Sequence, residues 1–258
     1  MNKPYITDEL HKIISDKTSG SRELLSKLSI YLKNHSDEIN NELISSLQKH
    51  FPDFQTIQNF LSDLGKATQN NSIKKFLTNY NDKIIFENIY KNLKPFVSDF
   101  HSFITISNSK TIFEVMKLIA GNKESIEVTV SEGRPNFEGR ILAENLASVN
   151  IKTTLITEAQ IFNAVQNCDC GIIGADKILK NGNVVNKVGS NLLASSCKEF
   201  NKPFLVIADK TKFAKDNSFN TKEMPGEEIY PGKNKEIKID NYYFEEIPKK
   251  YITKIITD

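Results

Sequence analysis

Residues 174–189 read Gly-Ala-Asp-Lys-Ile-Leu-Lys-Asn-Gly-Asn-Val-Val-Asn-Lys-Val-Gly, and this stretch is the most informative part of the chain. A buried strand is predicted to end at its first glycine, and Asp176 follows almost at once. The pair Asn181-Gly182 is a strong short-range signal for a tight hairpin turn. Because the turn reverses the chain, the amide of Asn186 and the ammonium of Lys187 are predicted to return to the neighbourhood of Asp176.

Around that stretch, short apolar runs alternate with amphipathic helical patterns from about residue 100 onward. Strands are predicted within residues 103–106, 126–130, 153–156, 171–174 and 204–208. Repeated strand–helix units of this kind predict a parallel sheet that is covered by helices on both faces.

The first part of the chain has a different pattern, which is helical. Residues 1–95 contain only two glycines, and apolar residues recur there at helical spacing, as at Ile39 and Leu43. We therefore predict an α/β chain with two domains. A helical N-terminal domain, residues 1–98, is followed by a Rossmann-like, mostly parallel sheet domain, residues 99–258, that binds the ligand.

Polar side chains follow the predicted strands at the points where those strands end. Ligands of open parallel sheets bind outside the carboxyl ends of the strands, so these side chains are predicted to gather at one edge. They are Ser107, Ser131, Thr157, Asp176 and Asp209. An amide that binds hydroxyls, an ammonium that binds a negative oxygen and an acid that transfers protons suit a phosphorylated, polyhydroxylated ligand. The alternative is a surface hairpin with a Lys–Asp ion pair, which would contribute little to stability.

The composition argues against several classes of partner. The 258-residue chain has a formal net charge of +2 and no basic patch with interleaved aromatic side chains, so we expect no direct nucleic-acid binding. No window approaches 18 uncharged apolar residues, and the polar start of the chain, residues 1–12, lacks a hydrophobic signal segment, so no membrane is expected. Three cysteines are too few for a disulfide framework, which favours a cytoplasmic protein.

The motifs of common cofactor and metal sites are missing from the sequence. Neither G-x-x-x-x-G-K-[ST] nor G-x-G-x-x-G occurs, so no nucleotide cofactor is predicted. The Cys168-x-Cys170 pair has no second pair downstream and its gap is shorter than in usual zinc sites. The four histidines show no metal spacing either. We therefore predict neither a cofactor nor a metal.

Arginine is rare in this lysine-rich chain. Of 34 basic residues only Arg22, Arg134 and Arg140 are arginine, and each lies within two residues of a glycine. A planar, two-pronged donor at such a position suits a phosphate or carboxylate, although chance could also produce the pattern. The polar segment 210–234 has two interpretations as well, because it could cover the pocket or form an ordinary surface excursion.

The pattern of residues 174–189 closely resembles the Gly-Ala-Asp-x-Ile…Asn-Gly…Asn-Lys-x-Gly signature of the initiation factor 2B alpha/beta/delta family. That family includes 5-methylthioribose 1-phosphate isomerase and ribose 1,5-bisphosphate isomerase. Other stretches resemble further segments of the family, namely residues 16–22, 132–140, 154–159, 208–213 and 244–258. The resemblance covers essentially all of residues 100–258 and is thinner before them.

The resemblance implies a role for each matching residue. In the family isomerases a cysteine and the aspartate of Gly-Ala-Asp help to move hydrogen between C1 and C2 of an opened aldose 1-phosphate. The resemblance assigns these catalytic positions to Ser107, in place of the cysteine, and to Asp176. The substrate-binding residues that it implies are Ser19, Gly20, Ser21, Arg22, Asn108, Arg134, Asn186, Lys187 and Lys212.

The serine is the main departure from the isomerase pattern. A thiol has a reference pKa of about 8.5, whereas a serine hydroxyl is far from titrating near neutral pH. Ser107 also has no close sequence neighbour able to act as its base. Loss of one well-placed general acid or base costs on the order of 10²–10⁴ in rate, so reduced or altered catalysis is expected.

Three functions remain open on the sequence. The first is an initiation factor 2B subunit-like protein that binds a sugar phosphate or nucleotide phosphate, which Ser107 favours. The second is an aldose–ketose isomerase of a phosphorylated pentose, of the ribose 1,5-bisphosphate or methylthioribose 1-phosphate type, which the intact Asp176, Asn186 and Lys187 favour. The third is a scaffold protein. The family commonly dimerises through its C-terminal lobe, so a homodimer or higher homo-oligomer is expected under all three.

Overall fold

The structure, a computed structural model, describes residues 7–52, 54–80, 82–232, 234 and 236–258. Residues 1–6, the first half of the polar start of the chain, lie outside them. The helices are α1 (Asp8–Ile14), α2 (Ser21–Asn34), α3 (Asn41–His50), α4 (Gln55–Gln69), α5 (Ile73–Asn79), α6 (Asp82–Val97), α7 (Lys110–Ala120), α8 (Glu138–Ser148), α9 (Ile161–Gln166) and α10 (Ser190–Glu199). The strands are β1 (Ser102–Ile106), β2 (Glu127–Ser131), β3 (Lys152–Ile156), β4 (Cys170–Ile173), β5 (Lys177–Ile178), β6 (Val184–Lys187), β7 (Phe204–Ile207), β8 (Phe244–Ile247) and β9 (Lys254–Ile256).

The main sheet has six parallel strands in the order β3-β2-β1-β4-β7-β9, which confirms the predicted α/β class. Its central strands are rich in isoleucine and valine and are almost wholly buried, because helices cover both faces. The chain leaves β1 toward β2 on one side and reaches β4 on the other. The gap between the ends of β1 and β4 is therefore a topological switch point, where open sheets bind ligands.

A small antiparallel sheet of β5, β6 and β8 stands beside the main one. It contains the predicted hairpin, since β5 pairs with β6 and the turn between them passes through Gly182 at φ 87°. The amide of Asp176 donates to the carbonyl of Val185 at 2.9 Å. This bond holds the acid against the returning arm of the hairpin, as the sequence predicts.

Three apolar clusters make up the core. One lies between the sheet and helices α6 to α8, and a second lies between the opposite face of the sheet and helices α9 and α10. The third joins the N-terminal helices, where residues such as Leu24 and Leu61 are fully buried. The N-terminal region is helical, as predicted, while the domain boundary at residue 98 stays a prediction. Ile89 and Leu93 of α6 pack into the first of the sheet's clusters.

Three further properties of the described residues concern membrane helices, cysteines and metal ligands. No helix among them is long and apolar enough to cross a membrane. Cys168, Cys170 and Cys197 are free thiols in the core, and burial raises the pKa of Cys197 to about 12. In the same part of the chain, no group of three or more His, Cys, Asp and Glu side chains is arranged to hold a metal ion.

Candidate functional site

A cavity of about 170 Å³ opens at the switch point of the main sheet. Its floor is formed by the segments that follow β1 and β4 and by the end of β6. The loop before α2 and the connection between α3 and α4 close it from the N-terminal side. The site therefore draws on both the helical region and the sheet.

Ten of the eleven residues predicted to bind or react with the ligand line this cavity. They are Ser19, Gly20, Ser21, Arg22, Ser107, Asn108, Asp176, Asn186, Lys187 and Lys212. Of the five polar residues predicted to gather beyond the strand ends, Ser107 and Asp176 line the cavity directly. Asp209 lies behind the lining, where it pairs with Arg22.

Arg134 is the predicted ligand residue that the structure does not bring to the others. Its side chain is exposed, its guanidinium stacks 5.0 Å from the ring of Phe137, and its Nη2 lies 3.5 Å from the carbonyl oxygen of Ile229. Arg140 stacks on the same ring at 4.0 Å and pairs with Glu132 at 2.6 Å. These two arginines therefore form a surface cluster around Phe137.

The loop before α2 is organised by the carboxylate of Asp16. Its Oδ1 accepts hydrogen bonds of 3.0 Å from the amides of Thr18 and Ser19, and Lys27 pairs with its Oδ2 at 2.8 Å. Although burial opposes the shift, the hydrogen bonds from Lys27 and Ser19 hold the pKa of Asp16 far below its usual range. A Cβ atom on Gly20 would lie 2.7 Å from the carbonyl oxygen of Asn108, so only glycine lets this loop reach β1 so closely.

Three charged residues anchor this loop to the end of β7. Arg22 and Asp209 form an ion pair whose side chains are 3% and 2% exposed. Arg22 also donates to the hydroxyl of Tyr80 at 2.5 Å. Burial alone would raise the pKa of Asp209, but the positive charges of Arg22 and Lys212 hold it below its usual value. Lys212 in turn donates a short hydrogen bond to Ser21 Oγ.

Glu138 is the acid that the sequence analysis did not select, and it joins two predicted site residues. Its Oε1 accepts a hydrogen bond from Ser107 Oγ at 3.2 Å and forms an ion pair with Lys187 Nζ at 2.9 Å. Glu138 is 1% exposed, and Lys187 also stacks 4.5 Å from the ring of Tyr243. Ser107 itself has a left-handed backbone at φ 69°, a conformation that costs a non-glycine residue about 1–3 kcal/mol and that clusters at functional sites.

The position of Glu138 follows from a glycine in the next position. A Cβ atom on Gly139 would lie 1.8 Å from the carbonyl oxygen of Ser131, so a larger residue would push α8 away from β2. The first turn of α8 can therefore sit directly over the strand end, and its acid reaches Ser107. The sequence signal for this residue is an acid at the start of a helical pattern, five residues after the glycine that follows a predicted strand.

Part of the cavity lining is apolar and aromatic. It is formed by Phe51, Phe54, Met224, Tyr243 and Phe244. Phe54 and Phe244 meet edge to face with ring centroids 5.6 Å apart. These residues come from three distant parts of the chain, and no sequence pattern connects them.

The polar segment after β7 takes part in closing the cavity. Lys222 and Met224 line it, and Glu228 of the same segment pairs with Lys17 of the N-terminal loop at 2.6 Å. Tyr243 donates a hydrogen bond of 2.5 Å to Glu228. Of the two interpretations of residues 210–234, the described part of the segment fits the one in which it covers the pocket.

The cavity lining thus combines charged side chains with aromatic and apolar ones. Among the described lining residues, the cations are Lys17, Arg22, Lys187, Lys212 and Lys222, and the carboxylates are Asp16, Glu138 and Asp176. The two buried lysines, Lys187 and Lys212, suit an anionic ligand, and the carboxylates can accept hydroxyl protons. Such an arrangement can hold a phosphorylated polyol and move protons on it.

The chain is similar to known proteins over most of its length. A family model described as the initiation factor 2 subunit family matches residues 19–258. A ribose 1,5-bisphosphate isomerase from Archaeoglobus fulgidus is 30% identical over 63% of this chain and 54% of its own length. A protein from Pyrococcus furiosus, named as similar to subunit 2 of translation initiation factor eIF-2B, is 34% identical over 60% of this chain and 55% of its own length. The chain thus spans about half the length of these curated relatives.

A solved structure of translation initiation factor eIF-2B from Pyrococcus horikoshii has the same fold. It superimposes with a TM-score of 0.83 over 97% of this chain and 94% of its own length, at 24% sequence identity.

Proposed function

Because the chain belongs to the initiation factor 2 subunit family, we propose that it is an initiation factor 2B subunit-like protein whose cavity binds a sugar phosphate or nucleotide phosphate. The observation that carries this proposal is that ten of the predicted ligand residues, the buried Lys187 and Lys212 among them, line one cavity at the switch point of the sheet. Two of the cations, Lys187 and Lys212, are almost completely buried, and a buried cation suits a ligand that brings negative charge with it.

Thermal unfolding with added phosphates tests the proposal. Ribose 1,5-bisphosphate, methylthioribose 1-phosphate and nucleoside monophosphates are the probes. A ligand present at 100 times its Kd should add about 2.7 kcal/mol to the free energy of unfolding. The variant Lys187→Ala should lose most of this ligand-induced gain, measured against its own baseline, while Lys198→Ala on the exposed face of α10 should keep it. A chain that none of these phosphates stabilises would not be a binder of this class.

Aldose–ketose isomerisation of a phosphorylated pentose is the second candidate function. Asp176 and Ser107 line one cavity, and Ser107 has a carboxylate partner in Glu138. A relative of this chain bears the name ribose 1,5-bisphosphate isomerase, which also favours this candidate. In this alternative Asp176 transfers the proton and Ser107 stands where the family isomerases have a cysteine. Turnover by wild type and by the variant Ser107→Cys tests it.

We also propose that the chain forms a homodimer or a higher homo-oligomer. Strand β3 is at the edge of the main sheet, and its Leu155 is 47% exposed. Phe162 of the neighbouring α9 is 46% exposed. Large apolar side chains exposed at a sheet edge are typical of a surface that another chain covers. Light scattering that gave the 29.3 kDa mass of one chain at micromolar concentration would exclude the oligomer.

A further inference from the structure

Lys212 has surroundings that set it apart from the other lysines of the cavity. It ends the short 3₁₀ helix Lys210–Lys212 that follows β7, lines the cavity and is only 3% exposed. Its Nζ donates to Ser21 Oγ and lies 4.0 Å from a carboxylate oxygen of Asp176. A nearly buried amine thus stands beside an acid inside a ligand cavity.

The surroundings of Lys212 have opposing effects on its pKa. Burial disfavours its ammonium form and lowers its pKa, and the nearby guanidinium of Arg22 lowers it further. The carboxylates of Asp176 and Asp209 oppose these effects but do not overcome them, so the pKa of Lys212 remains below its ordinary value. A lower pKa raises the fraction of the amine that is neutral, and therefore nucleophilic, near neutral pH. A desolvated lysine beside a second cation is the usual form of an activated amine nucleophile.

The other cavity lysines lack this combination. Lys187 is engaged by Glu138 at 2.9 Å and by the ring of Tyr243 at 4.5 Å. Lys17 pairs with Glu228 at 2.6 Å and is half exposed, and Lys222 is exposed to solvent. Lys212 is therefore the best-placed nucleophile among the described lysines of the cavity.

We propose that Lys212 forms a covalent imine with the carbonyl carbon of an open-chain phosphorylated sugar, and that Asp176 relays the protons of this reaction. The inference rests on the proposed function to the extent that a phosphorylated sugar must enter the cavity. It goes further because it gives the protein a covalent chemistry that needs neither the missing cysteine nor the hydroxyl of Ser107.

The reaction balances without a further reactant. The lone pair of neutral Lys212 Nζ forms the C–N bond while the carbonyl π pair moves onto oxygen. Asp176 accepts a proton from the nitrogen and passes it to that oxygen, which gives a carbinolamine. Loss of the hydroxyl group with the second nitrogen proton releases water and leaves the C=N bond. Addition of water reverses the sequence and frees the sugar.

Reductive trapping tests this inference on the whole chain. The probe is ribose 5-phosphate, which has an open-chain aldehyde form, with sodium cyanoborohydride at pH 7. Peptide mass mapping is expected to find one dominant adduct, at Lys212. Ribitol 5-phosphate, which has no carbonyl, should give no adduct itself and should suppress the labelling. Lys212→Arg, which keeps the charge, should lose the adduct, while Lys198→Met on the exposed face of α10 should retain it.

The outcomes separate this inference from the proposed function. Labelling spread over exposed lysines, or no labelling at all, overturns the inference, and wild-type protein alone decides this even if Lys212→Arg fails to fold. If ribose 5-phosphate raises the melting temperature without forming an adduct at Lys212, the binding function stands and the imine does not. If it does neither, while the other phosphates also leave the melting temperature unchanged, both proposals fail.

Discussion

Replacing Asp209 with asparagine is expected to lower the free energy of unfolding by about 3–5 kcal/mol, because the change removes the carboxylate charge that pairs with the buried guanidinium of Arg22. The side chains of Arg22 and Asp209 are 3% and 2% exposed, so water cannot replace the lost partner. Asparagine keeps the shape of the aspartate and can still accept the 3.0 Å hydrogen bond from the amide of Thr211. The loss should therefore report the charge. Urea unfolding followed by circular dichroism measures it.

The double variant Arg22→Met, Asp209→Asn is the matched control. Removing both charges from a buried pair is often close to neutral, so this variant should be more stable than Asp209→Asn alone. If the double variant instead shows the sum of two large losses, the charges do not interact as their geometry indicates. In that case packing, and not the ion pair, anchors the loop of Gly20 to the sheet.

The same pair predicts how the difference between wild type and Asp209→Asn depends on pH. Arg22 and Lys212 hold the pKa of Asp209 below its unfolded value of about 3.9. The stability from this group is thus fully present above about pH 4 and is lost as the pH falls through the lower folded pKa. The two proteins should differ by the same amount from pH 5 to pH 7, and the difference should shrink in stronger acid.

Ser107→Cys is expected to raise isomerase turnover of ribose 1,5-bisphosphate by about 10², the lower end of the usual contribution of one general acid or base. The physical reason is that a thiol titrates at about 8.5, whereas the serine hydroxyl does not titrate near neutral pH. The two side chains have a similar shape, so the left-handed backbone at φ 69° should persist. Phosphorus NMR of the ketose product measures the rate, and the gain should grow between pH 7 and pH 8.5.

The double variant Ser107→Cys, Asp176→Asn controls for this gain, because it keeps the new thiol and removes the carboxylate of Asp176, which lines the same cavity. It should return to the background rate while still binding the phosphorylated sugar. A wild-type enzyme that already turns over as fast as Ser107→Cys would show that Ser107 supports full catalysis. The contact between Ser107 and Glu138 would then be the natural place to look for its base, at 3.2 Å.

The partner of the Ser107 hydroxyl could not be predicted from the sequence. The sequence offers Ser107 no neighbouring base, yet the folded chain supplies Glu138 from 31 residues away. Glu138 lies within residues 132–140, one of the stretches that resemble the family. Its position beside Ser107 depends on how closely α8 packs on β2. That packing depends on Gly139, whose missing side chain leaves room beside the carbonyl of Ser131.

Arg134 illustrates the opposite case. Arg134 is a candidate phosphate ligand on the sequence because arginine is rare in this chain and a glycine precedes it. Neither observation indicates where the side chain lies in the folded chain. In the folded chain Arg134 stacks on Phe137 and is exposed, while Arg22, chosen on the same grounds, lines the cavity. The difference lies in the elements that carry them. Arg22 stands in the first turn of a helix that points at the end of β7, where Asp209 meets it.

The α/β class, the hairpin that returns Asn186 and Lys187 to Asp176, and the edge of the sheet at which the cavity opens could all be predicted from the sequence. These follow from short-range rules, because apolar periodicity, a turn dipeptide and strand direction act within a few residues. Three features depend on the tertiary structure. They are the pairing of the charges, the position of Glu138 between Ser107 and Lys187, and the aromatic rings from distant segments that line the cavity. Such contacts depend on helix packing to within about an ångström, and close packing of that kind is a property of the folded chain as a whole.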